Sequence, residues 1–308
     1  MAIERPDPAS VLTIAEPAAA IPSTSPLTAR MSRKERARAL AYALVRSKTF
    51  VVGMLILLFW IVDALFWRAF VPQDPQALNP LATLQGPSPD HWFGTDNLGR
   101  DVFSRVLAGA ASVLTVAPLA TLLGVSGGIA VGLVTGYYRG LVDDVVSRVV
   151  DAMLAFPLII IAILVLAVLG RSVVNVVVVI GIVFIPIVTR TVRSAVLSER
   201  EHEYVAAAKL RGESGLYIMF AEILPNITGP IAVEGTIRLG YAIFTAATLA
   251  FLGLGIGEPS PDWGLSIALG RPYLQIAPWM VLFPAFALAT LVVAVNLVAD
   301  GLKQVVEE

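Results

Sequence analysis

The sequence predicts an all-α membrane protein with six transmembrane helices, and three observations carry that prediction. The 308-residue chain is 57% hydrophobic and only 15% charged, with a mean hydropathy of +0.80, outside the balance of soluble domains. A hydrocarbon core about 30 Å thick calls for roughly 20 apolar residues in a helix. Six segments meet that standard: 49–71, 106–138, 152–170, 172–190, 230–256 and 277–298. Basic residues also segregate. Arg30, Arg33, Lys34, Arg36, Arg38, Arg46 and Lys48 precede the first segment, and Arg190, Arg193, Arg200, Lys209 and Arg211 lie at or beyond the end of the fourth. The stretches 72–105 and 257–276 hold only Arg100, Arg105 and Arg271. By the positive-inside rule the first two groups are cytoplasmic and these two stretches face outward, which places both termini in the cytoplasm.

Taken in order, residues 1–30 are interrupted by Pro6, Pro8, Pro17, Pro22 and Pro26 and predict a disordered cytoplasmic tail. The tail lacks the basic start and apolar core of a cleavable signal, so the first span is expected to act as an uncleaved insertion signal. Over 31–48, Ser32 and Glu35 have the spacing of a capping box, and Arg33, Lys34, Arg36 and Arg38 accompany Leu40, Leu44 and Val45. That pattern predicts a basic amphipathic helix on the membrane surface. The first span, 49–71, carries Asp63 and Arg68 toward its outer end, where side chains can snorkel to the interface; Asp63 is also a candidate to line a substrate path.

The external segment 72–105 contains Pro72, Pro75, Pro80, Pro87 and Pro89, which exclude a long helix. Asp96, Arg100, Asp101 and Arg105 alternate in sign over about three turns. They either tie this loop to the head of the next helix or form a solvated helix end. Residues 106–308 hold the remaining five helices. The third and fourth spans are separated only by Gly170, Arg171 and Ser172, which predicts a tight hairpin, since one helix through both would exceed about 50 Å. The fourth is short and contains Pro186. In the fifth, Glu234 and Arg238 stand four apart with the acid first, the favourable order for an ion pair, either structural or facing substrate.

Between the fourth and fifth spans lies a polar island, Ser198 to Asn226. Ser198 and Glu201 have capping-box spacing, Ala206 to Leu210 are good helix formers, and Gly212 suits the left-handed residue past a helix end. Ser214 then caps a second short helix carrying Leu216, Tyr217, Met219 and Phe220 toward Pro225.

Several function classes are excluded or weakened. A net charge of −1 gives no basis for nucleic-acid binding, and the membrane context removes a DNA-binding role for the two short helices. With no cysteine and only His91 and His202, neither a thiolate nor a histidine metal site is expected. Gly124, Val125, Ser126 and Gly127 spell G-x-S-G and resemble the serine site of rhomboid proteases. No histidine lies within a span to act as base, and close packing of small residues explains the pattern better. No G-x-x-x-x-G-K-S/T pattern cradles ATP phosphates. A stand-alone transporter or channel remains the rival; no internal repeat supports it, although Pro157 and Pro186 can break helices.

Four stretches resemble a known family. GTDNLGRDVFSRVLAGAAS (Gly94 to Ser112), DAMLAFPLIIIAI (Asp151 to Ile163), YVAAAKLRG with ILPN (Tyr204 to Gly212 and Ile223 to Asn226) and FLGLGIGEPSPDWG (Phe251 to Gly264) are similar to the integral membrane permeases of ABC importers. Specifically, they resemble the C-type subunit of dipeptide and oligopeptide importers. The resemblance implies the type I importer permease fold in a bacterial inner membrane, with peptides as substrate, although related permeases carry nickel or glutathione. It makes about 199–221 the coupling helix, with Glu203, Tyr204, Val205, Ala206, Ala207, Leu210, Gly212, Leu224 and Pro225 as ATPase-coupling residues. It further implies a homologous B-type permease partner, two cytoplasmic ABC ATPase subunits that use ATP and Mg, and an external solute-binding protein. The chain itself is then neither an enzyme nor a cofactor binder. Asp63, Asp96, Arg100, Asp101 and Trp263 become external or path-lining candidates. Two departures stand out: Ala206 replaces the Glu that names the family's EAA motif, and Ala246 replaces a Glu near the end of the fifth helix.

Overall fold

A computed structural model describes residues 42–307, in which the long apolar runs form helices and the one β pairing among the described residues is an isolated bridge between Thr95 and Asp101. The chain divides into Met1–Tyr42, of which only Tyr42 is described, and Ala43–Glu308, to which all that follows belongs. The expected tail at 1–30 and the first part of the basic helix, 31–41, lie outside the described residues.

Helix α1 (Lys48–Phe70) agrees with the expected first span to within a residue at each end, and the Ser47 hydroxyl caps it by accepting from the Phe50 N–H. The proline-rich stretch that follows contains only a 3₁₀ turn at Pro80–Ala82. Helix α2 (Val102–Tyr137) starts four residues before the expected 106, because the Asp101 carboxylate accepts from the Ser104 N–H at 2.8 Å and sets the cap there.

The expected continuous third span is corrected. Residues 141–169 form two helices, α3 (Leu141–Leu154) and α4 (Leu158–Leu169), bent by 83°. Pro157 has no N–H to donate and drives the preceding Phe156 away from helical geometry, so the chain breaks there. The hairpin after α4 is as expected, with Gly170 at φ +81° and the Ser172 hydroxyl capping α5 (Val173–Glu199). Helix α5 runs nine residues past the expected end at 190 and keeps Pro186 inside it. Residues 191–199 contain no breaker, so the helix continues after its apolar stretch has ended.

The chain then forms α6 (Glu203–Leu210), α7 (Gly215–Asn226), α8 (Thr228–Phe251), α9 (Trp263–Gly270) and α10 (Trp279–Glu307). Helix α7 ends in a π turn and a 3₁₀ turn, and meets α8 at 72°. By length and composition α1, α2, α5 and α10 can each cross a membrane, and the crossings number up to six if α3 with α4 and α7 with α8 each count once.

Helices α2 and α5 form the central seam. Gly124, Gly128, Gly132 and Gly136 recur every four residues along α2, facing Phe184, Val188, Val192 and Val196 of α5. A Cβ added to these glycines would lie 2.8, 2.4, 2.7 and 2.6 Å from the Cβ atoms of those partners, so the helices approach as closely as glycine permits. The G-x-S-G run belongs to this seam, and the Ser126 hydroxyl donates to the Leu123 carbonyl of its own helix. Two buried clusters flank the seam. One joins α1, α2, α5, α8 and α10 around Trp60 and Trp263; the other joins the ends of α2 and α5 to α6 and α7.

Candidate functional site

The polar island is built on an underside fixed to the bundle. The capping box expected at Ser198 and Glu201 is absent, because α5 continues through Glu199; α6 starts instead after His202, with no side-chain cap. At its other end, Gly212 at φ +78° reverses the chain while its N–H donates to the Lys209 carbonyl and the Glu213 N–H donates to Ala208. The Ser214 hydroxyl then accepts from the Tyr217 N–H and starts α7, as the sequence predicts.

Val205 and Ala208 of α6, with Ile218, Met219 and Ile223 of α7, pack on Leu133 of α2 and on Val188, Val192 and Val196 of α5. Polar ties reinforce this base. The Tyr204 hydroxyl donates to Glu199 at 2.7 Å and accepts from the Asn226 amide at 3.2 Å. Burial, and then the bond to Glu199, push the Tyr204 phenol above its ordinary pKa. Arg200 donates to the carbonyls of Gly136 and Tyr137 at the end of α2. Arg211 pairs with Glu222 at 3.1 Å across the turn.

The opposite side of the island is open. Leu210 is 90% exposed, Leu216 64% and Phe220 53%, with Glu203, Ala206, Ala207 and Gly212 also exposed. Of the residues singled out from sequence, Tyr204, Leu224 and Pro225 are half-buried. Val205 is corrected: fully buried, it anchors the island to its own bundle and presents nothing outward. Leu216 and Phe220, absent from the residues the resemblance implies, complete the exposed apolar crest; their four-residue spacing, offset from buried Met219 and Ile223, is the signal that identifies them.

The charged run at the head of α2 lies inside the protein. Asp96 binds Arg100 at 2.6 Å, and Arg100 also reaches Glu258 at 3.0 Å. Arg105 donates to the carbonyls of Pro75 and Ser260, and Asp101 meets His91 at 3.0 Å. Asp96 and Arg100 precede the helix and do not ride along it, and burial of the whole run removes the solvated-end alternative. Trp263 is fully buried, donates to the Val106 carbonyl at 2.7 Å and packs over Gly109. Beside it Asp262 caps α9, and burial pushes its carboxyl above the ordinary range. Asp96, Arg100, Asp101 and Trp263, the external or path-lining candidates of this region, are buried and knit the external segments to α2. Leu81 and Trp92 are exposed on that loop.

Two charged sites within spans behave differently. Glu234 and Arg238 form the expected ion pair at 2.6 Å, with the Thr191 hydroxyl donating to Glu234 and Tyr241 beneath the guanidinium. Asp63 does not snorkel: it is 3% exposed, and neither carboxylate oxygen has a hydrogen-bond partner among the described residues. No cluster of three metal-ligating side chains occurs among the described residues.

Residues 128–308 match the binding-protein-dependent transport system inner membrane component family. The dipeptide transport system permease protein DppC of Alkalihalophilus pseudofirmus is 42% identical over 264 residues, covering 86% of this chain and 87% of the relative. The glutathione transport system permease protein GsiD of Pectobacterium atrosepticum is 38% identical over 257 residues, 83% of this chain and 85% of the relative. A putative peptide transport system permease protein of Brucella suis is 39% identical over 271 residues, 87% and 90% of the two chains.

Proposed function

The chain belongs to the family of binding-protein-dependent transport system inner membrane components, and from that membership we propose that it forms half of a peptide path driven through α6 and α7. It is a permease subunit of an ABC importer. The observation that carries the coupling role is the two-sided island: an exposed crest of Leu210, Leu216 and Phe220 on a base locked to α2 and α5. An apolar crest of this kind suits a groove on a cytoplasmic ATPase subunit. Because Val205, Met219 and Ile223 are buried against Leu133, Val188 and Val192, displacement of the crest carries the ends of α2 and α5 with it.

Two ATPase subunits bind ATP and Mg, and a companion permease supplies the other half of the path. ATP closure shifts the path between inward and outward access only in so far as the closed ATPase pair favours one arrangement of the islands over the other. An external binding protein delivers substrate to the face that includes the loop between α1 and α2. Peptide as substrate rests on the names of the relatives, which include dipeptide, peptide and glutathione permeases. In this arrangement the bent pairs count as one crossing each, which gives six, and α6 and α7 lie in the cytoplasm of a bacterial inner membrane.

The test is gentle purification of the full chain from membranes. ATPase subunits and a second permease are expected to accompany it, with ATP hydrolysis stimulated by loaded binding protein. A chain that purifies alone and transports without ATP would restore the stand-alone transporter.

A further inference from the structure

A small cavity of about 20 Å³ lies where the loop between α1 and α2 meets α9 and α10, lined by Asn97 of the loop, Ser266 of α9, and Met280 and Pro284 of α10. Three polar groups at this cavity lack their usual partners. The Asn97 Oδ1 and the Ser266 hydroxyl are buried and have no hydrogen-bond partner among the described residues. A helical hydroxyl can donate to the carbonyl four residues before it, as Thr121, Thr236 and Thr248 do; Ser266 does not. Pro284 stands inside α10 without an N–H, so the Met280 carbonyl four residues earlier is denied its helical donor.

We infer that this cavity is a binding site for one ordered water molecule, which donates to the Asn97 Oδ1 and the Met280 carbonyl and accepts from the Ser266 hydroxyl. On this measure of volume roughly 10–15 Å³ holds one water, and a buried water makes about three hydrogen bonds. The inventory of donors and acceptors closes. Two acceptors take the two protons of the water, and one hydroxyl donates to its oxygen. With the Asn97 amide turned the other way, its nitrogen donates to the second lone pair, so either placement is satisfied. The charges at the rim already have partners: Asp96 and Arg100 pair at 2.6 Å, and Arg105 donates to the Pro75 and Ser260 carbonyls. The cavity therefore calls for a neutral ligand. Asn97 belongs to a tight turn closed by the Asp96 N–H donating to the Arg100 carbonyl at 2.9 Å, so the water ties that turn to α9 and α10 together. This depends on the fold alone and stands whether or not α6 and α7 dock an ATPase.

The test is a density map of the full chain, with the subunits that accompany it, at a resolution that shows ordered water. The wild type should show one isolated peak within hydrogen-bonding distance of Asn97, Ser266 and Met280, and Ser266→Val, which puts a methyl in place of the hydroxyl, should expel it. Thermal unfolding gives a second readout. Asn97→Leu and Ser266→Val should each lower the midpoint by about 2–6 °C, and together by little more than either alone, because one water serves both. The wild-type map decides even where a variant fails to fold. A map without the peak, Asn97 bonded directly to Ser266, or additive losses would overturn the inference. Crystals grown with bromide in place of chloride should give no anomalous signal at the peak; a bromide signal there would make it an anion site and overturn the water.

Discussion

Replacing Leu210 by Asp separates coupling from folding. Leu210 is 90% exposed at the end of α6, so little of it is withdrawn from water within this chain, and Leu210→Asp should change the stability of the permease by no more than about 0.5 kcal/mol. In a complex where an ATPase subunit covers that side chain, the substitution removes about 1.5–3 kcal/mol of apolar burial and places a carboxylate in the contact. That corresponds to a loss of binding of about tenfold to over a hundredfold. Val205→Asp is the contrast. Val205 is fully buried against the ends of α2 and α5, so a charge there should disrupt the base itself and lower the unfolding temperature. Binding of purified ATPase subunits to the permease in nanodiscs, followed with thermal unfolding, distinguishes the two variants. Leu210→Asp with undiminished ATPase binding and substrate-stimulated hydrolysis would refute the assignment of the crest.

Three further outcomes are expected. Gly132→Leu puts a side chain where even a Cβ lies 2.7 Å from the Val192 Cβ; it should cost upwards of about 1–3 kcal/mol and reduce the yield of folded protein, measured by size-exclusion in detergent. Glu234→Gln leaves Arg238 largely buried without its charged partner and should destabilise by about 3–5 kcal/mol, while replacing both residues by Met costs less; thermal unfolding of the single and double variants checks this. Ala206 is exposed on the outward side of α6, so Ala206→Glu should leave transport unchanged or strengthen ATPase docking, and a marked loss of transport would contradict that.

What was legible in the sequence was mostly local. Gly212 and Ser214 act within a turn of themselves, and both do what their residue types imply. The Glu234–Arg238 pair follows from helical spacing alone. Apolar length located α1, but it placed the end of α5 too early because a helix outlasts its hydrophobic stretch when no breaker intervenes. The capping box at Ser198 failed for the same reason. Pro157 was visible, but the 83° bend it introduces depends on how α3 and α4 pack, with Asp143 of α3 tied to Arg193 of α5. Val205 and Leu210 share one short helix, and only the position of α2 and α5 decides which is core and which is crest. Trp263 and Asp63 depend likewise on distant elements: the head of α2 receives the indole, and among the described residues none hydrogen-bonds the carboxylate. Resemblance identified the family without giving the direction of these side chains.

The crest can be tested directly because the chain has no cysteine. With a single thiol at Leu216→Cys, brief cross-linking in native membranes should give an adduct with an ATPase subunit, and its yield should change when nucleotide is added. Trp92→Cys, on the loop between α1 and α2, should give none. An ATPase adduct from position 92, or labelling of position 216 by a membrane-impermeant thiol reagent applied from outside, would contradict a cytoplasmic coupling surface on α6 and α7.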